Sequence, residues 1–206
     1  MRIKFILILV LACFEVGQAQ IAKGTIVIDS IYSKNLENKF GENPKRGVSI
    51  YLPPGYQNSN KRYPVIYFLH GFLSDNEMPG IEEILDYAIQ THRIRPFIFV
   101  VSNQETTYGG SFYSNSGLFG NWEDFSAFDV VTHLDQNYRT IAKKECRGIT
   151  GHSMGGYGAL KIAIHHPEIF STVYAMSPGA LTIVSEYGPN SNTFKDVSAS
   201  KTIEDL

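Results

Sequence analysis

Cysteine is scarce in these 206 residues: there are two, and Cys13 lies in an N-terminal apolar run that reads as a leader. Removing residues 1–19 would leave Cys146 alone, so no intrachain disulfide is expected. A domain of this size does not need the staple on which very small secreted domains depend. C-x-x-C and H-E-x-x-H spacings are also missing, so zinc is unsupported. The charge leans to neither sign, with 18 Lys plus Arg against 20 Asp plus Glu and a net of −2. That balance, with no block of like charges, excludes a nucleic-acid footprint and a polybasic membrane surface. The longest apolar run, residues 5–13, is about half of the roughly 20 residues a membrane span needs. What is present is core material, 43% hydrophobic and 13% aromatic, enough for a packed domain whose partner is a small molecule.

The leader has recognisable parts. Arg2 and Lys4 give a positive start, the apolar run follows, and Gly17-Gln18-Ala19 puts small residues where a signal peptidase reads. Residues 1–19 are read as a cleaved export signal and 20–206 as the folded domain, placed in the periplasm or outside the cell. In a second reading, Val10-Leu11-Ala12-Cys13 is a lipoprotein box and Cys13 carries a lipid anchor; Phe14 and Glu15 fit that box poorly.

Residues 25–31 and 48–52 are β-branched and aromatic runs separated by a polar stretch, and read as two early strands. Residues 63–69 follow the Pro53-Pro54-Gly55 turn without alternation, as a strand buried on both faces does. Ile81, Ile84, Leu85 and Ala88 then repeat at helical spacing, with Glu82, Glu83 and Asp86 on the polar side. Residues 96–101 form another strand. Residues 102–120 carry no period, and a loop of that length in a compact domain is usually functional. Asn121 is placed to cap the next helix, with Glu123 and Asp124 in its first turn and Phe125, Phe128, Leu134 and Tyr138 as its buried stripe. A strand at 146–150, a helix at 155–166 stopped by Pro167, and a strand at 170–176 complete the pattern. Residues 179–206 are polar and weakly patterned. No internal repeat or domain boundary is visible, and the order of elements predicts an α/β fold, a mostly parallel central sheet with antiparallel N-terminal strands.

Gly151-His152-Ser153-Met154-Gly155 matches G-x-S-x-G. Alone the pattern is weak, but here it lies between an apolar strand and a helix, the setting of a nucleophile elbow. Ser153 is the candidate catalytic nucleophile. Acyl chemistry also needs donors for the developing oxyanion. The Met154 N–H at the helix start is one, and the Phe72 N–H, in the His70-Gly71-Phe72-Leu73 stretch after a central strand, is the other. Tyr113, Asn115 and Trp122, in or beside the long loop, are candidate substrate-binding residues.

Five blocks, at residues 63–72, 110–116, 120–125, 137–140 and 151–160, together resemble the esterase D family of α/β-hydrolases. That family includes feruloyl and other carbohydrate-ester esterases, S-formylglutathione hydrolases and mycolyltransferases. The resemblance covers residues 45 to 178 and implies an α/β-hydrolase fold, hydrolysis of a carboxylic ester, carbohydrate-linked or feruloyl-type, through an acyl-enzyme on Ser153, and no cofactor. An acyltransferase and a non-catalytic carbohydrate-binding or interaction protein are the alternatives.

One departure stands out. In this family the acid and the histidine follow the nucleophile, and of six histidines only His165 and His166 do. They close the helix that Ser153 opens, about 18 Å away, and read as a surface helix end. His152 is expected to point away from the elbow, and His133 to join a polar row with Asp129 and Asn137. His70 lies near the oxyanion loop, yet the family's base does not come from there. Among the downstream carboxylates Glu186, Asp196, Glu204 and Asp205, Asp196 is the least unsuitable acid. Six strands stand where the fold has eight, so the sequence is expected to lack the last two, with the acid and histidine beyond Leu206.

Overall fold

A computed structural model describes residues 23–38, 42–181, 188–192 and 195. The leader with Cys13 and the carboxylates Glu186, Asp196, Glu204 and Asp205 lie outside the described residues. Among those described, no helix is long and apolar enough to cross a membrane.

The strands are β1 (Thr25–Tyr32), β2 (Lys45–Leu52), β3 (Val65–Leu69), β4 (Ile98–Ser102), the short pair β5 (Asn115–Ser116) and β6 (Gly120–Asn121), then β7 (Arg147–His152) and β8 (Thr172–Met176). Six of them form one sheet in the order β1-β2-β4-β3-β7-β8. Strand β2 pairs antiparallel with both β1 and β4, while β4, β3, β7 and β8 run parallel. Parallel neighbours need crossovers, and these are α1 (Ile81–Gln90) between β3 and β4 and α4 (Met154–His165) between β7 and β8. The parallel ladder brings the C-terminal ends of β3, β4 and β7 side by side, where ligands gather in α/β sheets.

Strand β3 is central, as its unbroken apolar run predicts. Val65, Tyr67 and Leu69 enter the main core, with Leu134, Ile149, Ala159 and Ile162, while Phe68 turns to the other face and meets Phe99 at 5.6 Å. Under α1 a smaller cluster joins Tyr51, Leu85 and Ile89. The helical stripe there is rotated from the sequence pattern: Ile84 is exposed and Asp86 is buried. Asp86 is buried because its carboxylate is satisfied. It accepts the Tyr51 hydroxyl at 2.7 Å and the Gly24 N–H at 2.9 Å, bonds that offset the cost of taking a charge out of water.

The next helical stretch also departs from the sequence pattern. It consists of α2 (Trp122–Asp124), a π turn (Phe125–Asp129) and α3 (Val130–Asn137). The wide turn displaces the periodic stripe, so Phe128 is exposed while Phe125, Ala127, Val130 and Leu134 are buried. Asn121 makes no side-chain capping bond. Asn115 does the capping from the preceding loop: its Oδ1 accepts the N–H groups of Glu123 at 3.0 Å and Asp124 at 3.2 Å. Glu123 then reaches across to α4, where its carboxylate meets Lys161 Nζ at 2.9 Å, His165 Nδ1 at 2.7 Å and His166 Nε2 at 3.1 Å. The two histidines are thus part of a tie between helices. His133 pairs with Asp29 of β1 at 2.8 Å, while Asp129 takes bonds from Ser33 and Asn35, so the expected row with Asp129 does not form.

Two measurements check this architecture. Asn115→Ala removes a cap worth about 1 kcal/mol and should lower the unfolding free energy in urea by about that amount. Burial pushes the Glu123 carboxyl up, but the Lys161 and His165 bonds outweigh it and hold the group below its ordinary 4.5. Its stabilising contribution is therefore present above that value and lost as pH falls through the depressed one. Between about pH 5 and 3, Glu123→Gln should flatten the dependence of stability on pH, and an unchanged slope would contradict the tie.

Candidate active site

Ser153 stands between the end of β7 and the start of α4 with φ 55° and ψ −117°, a backbone conformation that costs about 1–3 kcal/mol and persists only when its surroundings impose it. They do so by close approach. A Cβ at Gly155 would lie 1.8 Å from the Leu69 carbonyl oxygen, and one at Gly151 would lie 2.3 Å from that of Gly155, so only glycine fits. Backbone bonds then pin the turn. The Ser153 N–H donates to the Met176 carbonyl at 3.0 Å, and the Ser153 carbonyl accepts the N–H groups of Tyr157 and Gly179, each at 3.0 Å.

Strain concentrates around this turn. Besides Ser153, the non-glycine residues at positive φ include Leu73, Phe112, Tyr113, Ser177 and Ala180. Leu73 lines the same cleft as Ser153, Phe112 packs its ring 6.0 Å from that of Phe72, and Ser177 and Ala180 flank the Met176 and Gly179 contacts of the elbow. The cleft has a volume of about 700 Å³ and opens at the C-terminal ends of the parallel strands, with Phe68 and Val101 in its floor and Phe72, Leu73, Asp75 and Glu77 on one wall.

Of the two residues expected to donate to the oxyanion, Met154 follows Ser153 directly and Phe72 lies on the loop after β3 that lines the same cleft. Met154 is the first residue of α4, so its N–H lies at the positive end of the helix dipole. The loop after β3 reaches the elbow directly: a Cβ on Gly71 would lie 3.6 Å from the His152 carbonyl and 3.8 Å from Ser153 Cβ. Among the described residues, neither the Phe72 nor the Met154 N–H has a protein acceptor, and the Ser153 hydroxyl has no hydrogen-bond partner. Attack on a carbonyl and stabilisation of its oxyanion require a free hydroxyl and nearby unsatisfied N–H groups.

All six histidines are described, and none bonds Ser153. His133, His165 and His166 are held by carboxylates. His92 follows α1 in a left-handed backbone conformation, at the N-terminal ends of the parallel strands, away from the cleft. His152 does not turn away as expected; it lines the cleft. His70 is 3% exposed and has both ring nitrogens engaged, Nδ1 with the Gly71 carbonyl and Nε2 with the Gln104 N–H, each at 2.8 Å. Burial holds its pKa below the ordinary value.

The three residues expected to touch substrate serve as scaffold for the loop. Tyr113 is fully buried and donates its hydroxyl to the His70 carbonyl at 2.9 Å, and burial raises that phenol well above its ordinary pKa. Trp122 is 1% exposed, donates Nε1–H to the Phe119 carbonyl at 2.9 Å and lies under the Arg46 guanidinium. Asn115 is the helix cap already described. Sequence reasoning missed the His70–Gln104 bond and the approach of Gly179 to the elbow, since both join residues far apart in the chain. Among the described residues no group of histidine, cysteine and carboxylate side chains is arranged to hold a metal.

The chain is similar to known proteins in sequence and in fold. A family model described as Esterase matches residues 41–202. An esterase of Mycobacterium tuberculosis is 31% identical over 163 residues, which are 76% of this chain and 34% of that protein. An S-formylglutathione hydrolase of Paracoccus denitrificans is 32% identical over 155 residues, 68% of this chain and 54% of the relative. Among solved structures, a ferulic acid esterase superposes with a TM-score of 0.67 at 29% identity, covering 79% of this chain and 59% of that one. The chain therefore spans about a third to somewhat over half of the length of these three proteins. The fold is that of the α/β-hydrolases, and the chain belongs to the Esterase family.

Proposed function

We propose that the chain cleaves a carboxylic ester through an acyl-enzyme on Ser153. The observation that carries this reading is the free Ser153 hydroxyl on a strained turn at the start of α4, in a cleft that Phe72 also lines. A base takes the hydroxyl proton, Oγ attacks the ester carbonyl, and the Phe72 and Met154 amides hold the tetrahedral oxyanion. The carbon–oxygen bond to the alcohol then breaks and the alcohol leaves with the proton. Water next attacks the acyl-serine, releasing the acid and restoring the hydroxyl. The positive start and apolar run of residues 1–19 support export as part of the same reading.

The charge of the cleft bears on the substrate. Asp75 and Glu77 line the cleft, and among the described residues no lysine or arginine does. Such a field disfavours an anionic leaving group, such as a glutathione thiolate, and favours the neutral alcohol of a carbohydrate-linked or feruloyl-type ester. Both carboxylates are at least partly exposed, so the preference is modest and weakens with salt.

One observation favours a second reading, in which the cleft binds carbohydrate without turnover: none of the six histidines bonds Ser153 Oγ. Loss of the base from such a unit costs several orders of magnitude in rate.

A fluorophosphonate probe tests the nucleophile. The wild-type chain should be labelled slowly and Ser153→Ala not at all; equal labelling of both would refute the assignment. Turnover of a p-nitrophenyl ester should fall orders of magnitude below ordinary esterase rates, and full turnover would mean that one of these histidines does act as base. A neutral feruloyl sugar ester should slow labelling more than S-methylglutathione does. That difference should shrink as salt rises, and a salt-independent preference would exclude the carboxylates as its source.

A further inference from the structure

His70 has a specific part in the cleft that its place at the end of β3 does not suggest. A backbone N–H can only donate, so the Gln104 N–H at 2.8 Å requires a lone pair on Nε2. The proton of the neutral ring is therefore on Nδ1, where it donates to the Gly71 carbonyl at 2.8 Å. An imidazolium would set Nε2–H against the Gln104 N–H, so geometry as well as burial opposes protonation.

That bond fixes a peptide plane. The Gly71–Phe72 peptide is trans, so its C=O and its N–H point in opposite directions. With the Gly71 carbonyl drawn onto His70, the Phe72 N–H is turned away from the ring, on a loop so near the elbow that a Cβ on Gly71 would lie 3.8 Å from Ser153 Cβ. Gln104 is itself held. It is fully buried, its Nε2 donates to Ser102 and Ser126 at 3.1 and 3.0 Å, and its Oε1 accepts from Ser111 at 3.3 Å. Tyr113 fixes the other side through the His70 carbonyl. A buried polar network satisfied at every member is rigid, and this one runs from the loop after β4 to a candidate oxyanion donor.

We propose that His70 is a positioning residue, a neutral single-tautomer clamp that aims the Phe72 N–H at the oxyanion formed on Ser153. The role rests on the esterase reading only for its consequence, since the clamp itself is a property of the ring and the loop. Asp75 and Glu105 favour the charged ring, while burial and Arg46 oppose it; the ring edge of Tyr113 packs against it at 6.2 Å.

The side-chain amide of asparagine can reach the Nδ1 position and donate to Gly71. Glutamine reaches the Nε2 position and can accept from Gln104 but leaves Gly71 unbound. In the full chain, His70→Gln should therefore lower the fluorophosphonate labelling rate by about 10- to 100-fold, less than the roughly 100- to 1,000-fold that outright removal of an oxyanion donor costs, because the N–H is misaimed rather than lost. His70→Asn should keep it within about threefold of wild type by the same measure, with folding of both checked by thermal melting. Ring 15N spectra of the wild type at about pH 8 should show a protonated Nδ1 and a bare Nε2. Equal loss in both variants, no loss in His70→Gln, or the opposite tautomer would overturn the clamp. If no form takes the label, the esterase reading fails instead, and the Phe72 amide resonance decides. A shift in His70→Gln but not in His70→Asn supports the clamp, and equal shifts refute it.

Discussion

The whole site depends on a lack of room. Where β7 passes into α4, Gly155 lies so close to the Leu69 carbonyl that a Cβ would sit 1.8 Å from it, and that approach lets the helix start directly above β3. Ser153 takes the strain, held at positive φ by backbone bonds to Met176, Tyr157 and Gly179. Any larger residue at Gly151 or Gly155 would push the helix off the sheet. That would relax the turn and withdraw the hydroxyl from the cleft.

Around the turn, polar groups fix the loops where hydrophobic packing alone would leave them free. The loop after β3 is clamped through His70 to Gln104, the long loop through Tyr113 to the His70 carbonyl, and the start of α2 through Asn115. Each of these side chains is oriented by a partner that can only donate or only accept. The arrangement is therefore directional, as aiming an N–H at a reacting atom requires. Glu123 extends the same logic to the far end of α4, with Lys161 and two histidines closing on one carboxylate.

Much of this could be read from the chain. The unbroken apolar run at 63–69 marks the central strand because a strand covered on both faces needs no polar alternation, and G-x-S-x-G between a strand and a helix marks the elbow. Other features escaped for identifiable reasons. Asp86 falls on the polar side of a 3.6-residue pattern, yet it is buried because Tyr51 and Gly24 satisfy it. Phe128 follows the helical stripe until a π turn shifts the register and exposes it. Tyr113, Asn115 and Trp122 fall in or beside a long stretch that suggests substrate contact, but the two aromatics are buried in the core and Asn115 caps α2. His70 resembles a strand-ending turn because its partner is 34 residues away.

The central claim is that two backbone N–H groups and one free hydroxyl form a single reacting centre. Its most direct test is a crystal structure of the chain after reaction with a fluorophosphonate. The account predicts phosphorus bonded to Ser153 Oγ and a phosphoryl oxygen about 2.7–3.1 Å from both the Phe72 and the Met154 nitrogens. A phosphonate on another residue, or a phosphoryl oxygen turned to solvent with neither N–H in reach, would contradict it.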